Sequence, residues 1–235
     1  MSTYFSKKTL FLFVFLFPSL FFQAAATEPV EVMVEPAYSL TWRANTRWSF
    51  TSQIKMRQWV AGNEASGFET TATDGLEFQV FANYTLMGSR RIGLGYVYRL
   101  LDPFEETPTH YHRIVQQYST TWNIENSRIA LRLRSEQRFR GGEFQQRFRT
   151  RLNTEIPVRG VRLEPGHPYL LFSNELLLEP GAEYSAWDNR ADAGIGWVLP
   201  NNKRFQIQLQ HRFEEFNLES RSHTVQLMTT FLMNL

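Results

Sequence analysis

The sequence predicts an all-β chain: a transmembrane, antiparallel, up-and-down β-barrel that follows an N-terminal signal peptide. Three observations carry that expectation. Apolar and polar side chains alternate with period two over most of the chain after residue 37, as in strands with one oily and one polar face. Turns and longer loops separate these stretches, with no helix-period segment between them. Residues 1–26 form a leader of the kind that directs export.

The leader sets the expected compartment. Lys7 and Lys8 give a positive start, Leu10 to Phe22 is apolar, and Ala24-Ala25-Ala26 supplies small residues for cleavage. The run is too short and too near the terminus for a spanning helix. No cysteine follows it, so a lipoprotein anchor is not expected. Charge is affected too. The chain has 25 basic and 23 acidic residues, and the leader holds two lysines and no acid, so the remainder balances at 23 against 23. That balance leaves no electrostatic footprint for nucleic acid. A cysteine-free exported chain of this size holds together by burial or by a closed sheet, not by disulfides.

Residues 27–36 are acidic and contain two prolines; they read as an N-terminal leader or a short first strand, with the barrel over 37–235. Tyr38, Leu40 and Trp42 alternate with Ser39, Thr41 and Arg43 before the turn at Ala44-Asn45-Thr46. Trp48, Phe50, Ile54 and Met56 oppose Thr51, Gln53, Lys55 and Arg57, and 61–73 is a polar loop. Leu76, Phe78, Val80, Ala82, Tyr84 and Leu86 oppose Glu77, Gln79 and Asn83, ending at Gly88-Ser89. Ile92, Leu94, Tyr96 and Tyr98 oppose Gly93, Gly95 and Arg99, and 102–109 is a loop. Ile114, Tyr118 and Trp122 oppose Arg113, Gln117 and Ser119.

The most regular stretch is the hairpin from Ser127 to Glu155. Ile129, Leu131, Leu133 and Phe139 oppose Arg128, Arg132, Arg134, Glu136 and Arg138; after Gly141-Gly142, Phe144, Phe148, Leu152 and Ile156 oppose Arg147, Arg149, Arg151, Asn153 and Glu155. Helical spacing would scatter these arginines around an axis. Residues 157–168 form a Gly/Pro-rich connection; Leu170, Phe172, Leu176 and Leu178 then oppose Ser173 and Glu175. Ala193, Ile195, Trp197 and Leu199 oppose Arg190, Asp192 and Gly194. Phe205, Ile207, Leu209 and Phe213 oppose Arg204, Gln206, Gln208, Gln210, Arg212 and Glu214, and Thr224 to Leu235 is the last strand. Bacterial barrels have an even strand number, whereas these stretches amount to eleven. A strand at Val30 to Glu35 makes about 12, the preferred reading; a miscount makes 10.

Alternation alone does not say which face points inward. A soluble sandwich hides the oily face, and a membrane barrel turns it to lipid. Lipid is favoured because Trp42, Trp48, Tyr84, Trp122, Trp197 and Phe205 gather at the short-turn ends, as an aromatic girdle does. The polar face is also rich in Arg, Glu and Gln at mid-strand, which suits a wet lumen. Finally, Leu227, Phe231, Met233 and Leu235 share one parity in the last strand, the pattern of an assembly signal on a bacterial outer-membrane protein. The expected location is the bacterial outer membrane, and the expected partners are its lipid and the barrel assembly machinery.

The candidate lumen-lining residues are Arg99, Arg113, Arg132, Arg134, Glu136, Arg138, Arg147, Arg149, Arg151, Glu155, Glu175, Arg190, Asp192 and Arg212. Guanidinium groups stay charged and offer planar donors, so this wall favours anionic solutes; the structural alternative is a ladder of Arg with Glu and Gln that fills the lumen. The leading expectation is a narrow pore for small anionic solutes. Alternatives are a plugged structural barrel and a lipid-acting outer-membrane enzyme. No nucleophile is spaced to pair with His211, so catalysis is not expected. His110 and His112 share one face but lack a third ligand, so neither metal nor cofactor is expected.

His112-Arg113-Ile114 with Gln116-Gln117, Leu131 to Phe139 (LRLRSEQRF), Arg147 to Leu152 (RFRTRL), Asn174-Glu175, and Asp188-Asn189-Arg190 before Gly194-Ile195-Gly196 resemble an uncharacterised bacterial family, domain of unknown function 2490. The resemblance covers most of the chain after the leader. It implies an outer-membrane β-barrel and brings no activity or catalytic residues with it.

Overall fold

The computed structural model describes residues 30–61 and 72–235, so the signal segment and most of the 61–73 loop lie outside the described residues. Eleven strands follow in order: β1 (Val30–Arg43), β2 (Trp48–Ala61), β3 (Ala72–Met87), β4 (Arg90–Leu101), β5 (Thr109–Ile124), β6 (Ser127–Arg140), β7 (Glu143–Pro157), β8 (Pro168–Glu179), β9 (Ala186–Leu199), β10 (Lys203–Glu214) and β11 (Ser222–Asn234). Each pairs with its neighbours in sequence, and β1 pairs with β11 to close the barrel. Closure removes the open edges that a sheet this wide would leave exposed. No helix among the described residues is long and apolar enough to cross a membrane, which says nothing about strands.

Local chemistry explains the tight connections. Asn45 Oδ1 accepts from the amides of Arg47 at 2.9 Å and Trp48 at 2.8 Å, closing the β1–β2 turn. Asn201 and Asn202 both take positive φ in the three-residue connection 200–202 between β9 and β10, a conformation that asparagine tolerates. Gly141 and Gly142 do the same between β6 and β7.

The strand number corrects the expectation of 12, or 10. Val30 to Glu35 makes no strand of its own; it is the first half of β1, which runs on through Pro36. Pro36 has no N–H to donate, and in the β1–β2 ladder the register passes from Val34 opposite Gln58 to Ala37 opposite Lys55 without it. Eleven is odd, so the first and last strands point the same way. β1 and β11 are accordingly parallel, from Val30 beside His223 to Thr41 beside Asn234, while every other pair is antiparallel.

The alternation resolves into two faces as its chemistry requires. Trp42, Val80, Leu94 and Leu209 point outward and are each more than half exposed. Glu136 and Glu175 point inward, each 1% exposed. A minority of apolar side chains departs from this rule: Phe81, Val97 and Val115 form a small cluster on the inner face, and Tyr169, Leu171 and Leu177 are also buried. They fill space that the strand pattern assigned to polar groups.

Candidate functional site

The β6–β7 hairpin builds the site. Its two-residue turn fixes the register, and that register sets Arg132 opposite Arg151 and Arg134 opposite Arg149. Like charges directly opposite each other destabilise a sheet, so this patch has to be compensated from elsewhere. Carboxylates from β6, β8 and β9 do much of that. Arg149 donates to Glu136 Oε1 at 2.9 Å and to Glu175 Oε2 at 2.6 Å. Arg151 donates to Asp192 Oδ2 at 2.6 Å.

The compensation stops short at the other two. Arg132 Nη2 lies 3.8 Å from Glu175 Oε1, too far for a hydrogen bond. Arg134 has no ion pair among the described residues; its Nε donates to Gln117 Oε1 at 3.1 Å, and its guanidinium lies 5.0 Å from the centre of the Phe81 ring. The Gln117 amide in turn donates to Asn83 Oδ1 at 2.7 Å.

Two glycines of β4 make that arrangement sterically possible. Asn83 on β3 and Gln117 on β5 meet across Gly93, where an added Cβ would come within 2.5 Å of Asn83 Oδ1 and 2.9 Å of Gln117. The Phe81 ring packs against Gly95, where a Cβ would collide with it. Gly93 and Gly95 therefore open the inner face of β4 so that groups from both neighbouring strands can reach Arg134. Tyr169 covers Gly196 in the same way, accepts from Gln206 at 2.9 Å and faces the Arg204 guanidinium.

Arg132 and Arg134 border a central cavity of about 480 Å³. Of the predicted lumen residues, Arg99, Arg113, Glu136, Arg138, Arg147, Arg149, Arg151, Glu155, Glu175, Arg190 and Arg212 line it too. Asp192 stands behind this lining, accepting from Arg151, from Gln210 at 2.6 Å and from Ser173. The lining carries twelve basic and six acidic side chains, with Gln53, Gln79, Gln206, Gln208 and Thr230 as neutral polar groups.

A second cavity of about 430 Å³ lies toward the rim that carries Arg140 and Glu143. The two linings share Arg57, Arg99, Arg138, Arg147, Arg212 and Glu214, a charged layer where the cavities meet. Ion pairs hold that layer: Arg99 with Asp74, Arg138 and Arg147 with Glu179, and Arg57 with Glu35 at 2.8 Å.

The other predicted groups lie on the outer face. Trp42, Trp48 and Trp122 are exposed; Trp48 meets Tyr84 edge-on at 5.0 Å, and Trp197 stacks with Phe205 at 6.1 Å. All six girdle residues sit near the rim of the 44–47, 88–89, 125–126 and 200–202 turns. Leu227 and Phe231 share the outer face of β11, where Phe231 stacks on Tyr38 and the Met233 sulfur accepts from the Tyr38 hydroxyl at 3.9 Å. Leu235 follows β11 and donates its amide to Thr41 O at 2.9 Å, which extends the closing seam.

His211 contacts His223, with Nε2 to Nδ1 at 3.1 Å, and the Phe213 ring stacks on His223. His112 is hydrogen-bonded to Tyr96 at 2.7 Å and His110 to Tyr98 at 2.8 Å. The two imidazoles on one face of β5 thus engage phenols. No group of three or more metal-ligating side chains occurs among the described residues.

Sequence reasoning missed the support of Arg134, namely Phe81, Asn83 and Gln117 acting together. The available signal was Gly93 and Gly95 at alternate inward positions, since a missing side chain on one strand implies an occupant from the next.

The model of a family described as protein of unknown function (DUF2490) matches residues 36–223. No curated protein and no solved structure matches the chain.

Proposed function

The chain belongs to the DUF2490 family of proteins of unknown function, and from that footing we propose that it is a bacterial outer-membrane barrel whose lumen is a narrow, anion-preferring path. The exterior supports the membrane half of this reading. Leucine, isoleucine, phenylalanine and tryptophan side chains cover the outer face, with Trp42, Trp48 and Trp122 near one rim and Phe139 and Phe144 near the other, as a bilayer-facing surface requires. Leu227, Phe231, Met233 and Leu235 then serve as the face read during assembly, and residues 1–26 as the export signal.

The observation that carries the anion preference is the arginine patch of β6 and β7, where the supply of carboxylates ends before Arg132 and Arg134 are satisfied. A cation entering this cavity meets an excess of fixed positive charge; an anion meets guanidinium donors. Purified protein in planar bilayers with a salt gradient tests the reading. The expected result is small channel events with a reversal potential on the anion side. Absence of events at any voltage removes the transport reading.

A second reading, a closed structural barrel, is favoured by one specific observation. The charged layer shared by the two cavities is knitted by ion pairs between adjacent and next-but-one strands, and Glu136, Glu175 and Gln226 are each no more than 1% exposed. The same recordings separate it from the first. A silent barrel with normal stability is the result this second reading expects.

A further inference from the structure

We infer that the cavity bordered by Arg132 and Arg134 is a binding site for a small hydroxylated oxyanion, a carboxylate or phosphate ester on a polyol skeleton; this deepens the anion-path reading and takes its ligand class from it. Two arginines side by side on one wall, opposite two more, form a cluster that the protein neutralises only in part. The Arg132 side chain remains 30% exposed within the barrel, and its buried Nε has no partner. Guanidinium forks match the two-oxygen edge of a carboxylate or phosphate and bind it bidentately. An oxyanion seated here would relieve the repulsion that the hairpin register builds in.

The rest of the lining says what the anion carries. Gln53, Gln79, Gln206 and Gln208 present amides that both donate and accept, which suits hydroxyl groups. Met228 and Leu232 add apolar contact for a carbon skeleton. A volume of about 480 Å³ is that of a small-molecule pocket, larger than a bare ion needs. Arg134 is also held in place before any ligand arrives, by Gln117 and the Phe81 ring over Gly95. Such preorganisation reduces the ordering cost of binding.

Titration calorimetry of the purified protein in detergent, with gluconate, glucose 6-phosphate, inorganic phosphate and glucose as probes, tests the inference. One molecule of gluconate or glucose 6-phosphate is expected to bind per barrel, with Kd of about 1 mM or tighter, and glucose at least about tenfold more weakly. Which of the two anions binds tighter distinguishes carboxylate from phosphate ester. Arg132→Gln and Arg134→Gln should each weaken binding about tenfold, with Arg132→Lys between, since lysine keeps the charge and loses the fork. No saturable binding of any anion, or affinities unchanged in both glutamine variants, overturns the site. Should a variant fail to fold, the wild type decides alone: equal binding of gluconate, glucose 6-phosphate and glucose overturns it. Binding without channel events removes the pore and keeps the site, whereas channel events without binding do the reverse.

Discussion

Two arginines that face each other across the β6–β7 ladder should respond unequally to the same substitution. Arg149 bridges Glu136 at 2.9 Å and Glu175 at 2.6 Å, and both carboxylates are 1% exposed. Arg149→Gln leaves them buried without their principal cation. Breaking one buried pair costs about 3–5 kcal/mol; two would cost more, but Arg132 already stands 3.8 Å from Glu175 and can move toward it. The expected loss is therefore about 3–5 kcal/mol. Arg134→Gln gives up one hydrogen bond to Gln117, about 0.5–1.5 kcal/mol, and an attraction to the Phe81 ring, about 0.5–1 kcal/mol. It also ends the opposition to Arg149, which returns a few tenths to about 1 kcal/mol. The net loss should be about 0–2 kcal/mol, below that at Arg149. Urea titration of refolded protein in lipid vesicles, followed by tryptophan fluorescence, measures both. Equal losses, or a larger loss at Arg134, would refute the claim that carboxylates compensate one arginine of the pair and not the other.

Three further outcomes bear on other parts of the structure. Leu94→Arg, on an outward position of β4 that is 59% exposed, should cost about 2–4 kcal/mol in vesicles if that face meets hydrocarbon; a change within about 0.5 kcal/mol, as expected at a water-exposed surface, would sink the membrane reading. Gly95→Val forces Phe81 off the inner face of β4 and should cost about 1–3 kcal/mol, partly recovered by adding Phe81→Ala; full additivity of the two changes would show that they do not touch. Cysteines at Thr41 and Asn234, neighbours in the parallel seam, should form a disulfide on oxidation, whereas cysteines at Glu31 and Asn234 should not, being separated by about 33 Å of strand. Non-reducing gels read the result, and the opposite pattern would mean antiparallel closure with an even strand number.

What could be read ahead of the structure was whatever depends on neighbours along the chain. Period two in β6 and β7 gave the hairpin, its turn and the arginine-bearing face, because side-chain direction in a strand is a local property. Closure is not local. Whether Val30 to Glu35 stands alone or extends β1 depends on how β11 lies beside it, and an evenness rule taken from bacterial barrels pointed the wrong way. The ion pairs were out of reach for the same reason. Arg204 meets Glu155, and Arg151 meets Asp192, across 49 and 41 residues, distances over which no alternation pattern carries information. Phe81, Val97 and Val115 were invisible as interior residues because a parity rule cannot tell a polar lumen from one partly filled by apolar side chains.

The same contrast between local and global order bears on what the lumen is for. A lumen filled only for stability has little use for two arginines that carboxylates compensate only in part: glutamine at either position would remove the opposition of like charge, at the cost for Arg134 of its hydrogen bond to Gln117. The interior already uses glutamine at Gln206, Gln208 and Gln210, so neutral filling is within its own vocabulary. Around Arg132 and Arg134 the chain instead spends glycines at 93 and 95 to bring Asn83, Gln117 and Phe81 together beside a guanidinium that no carboxylate reaches among the described residues. A positive group held that firmly beside an open cavity is better explained by something negative that enters than by packing.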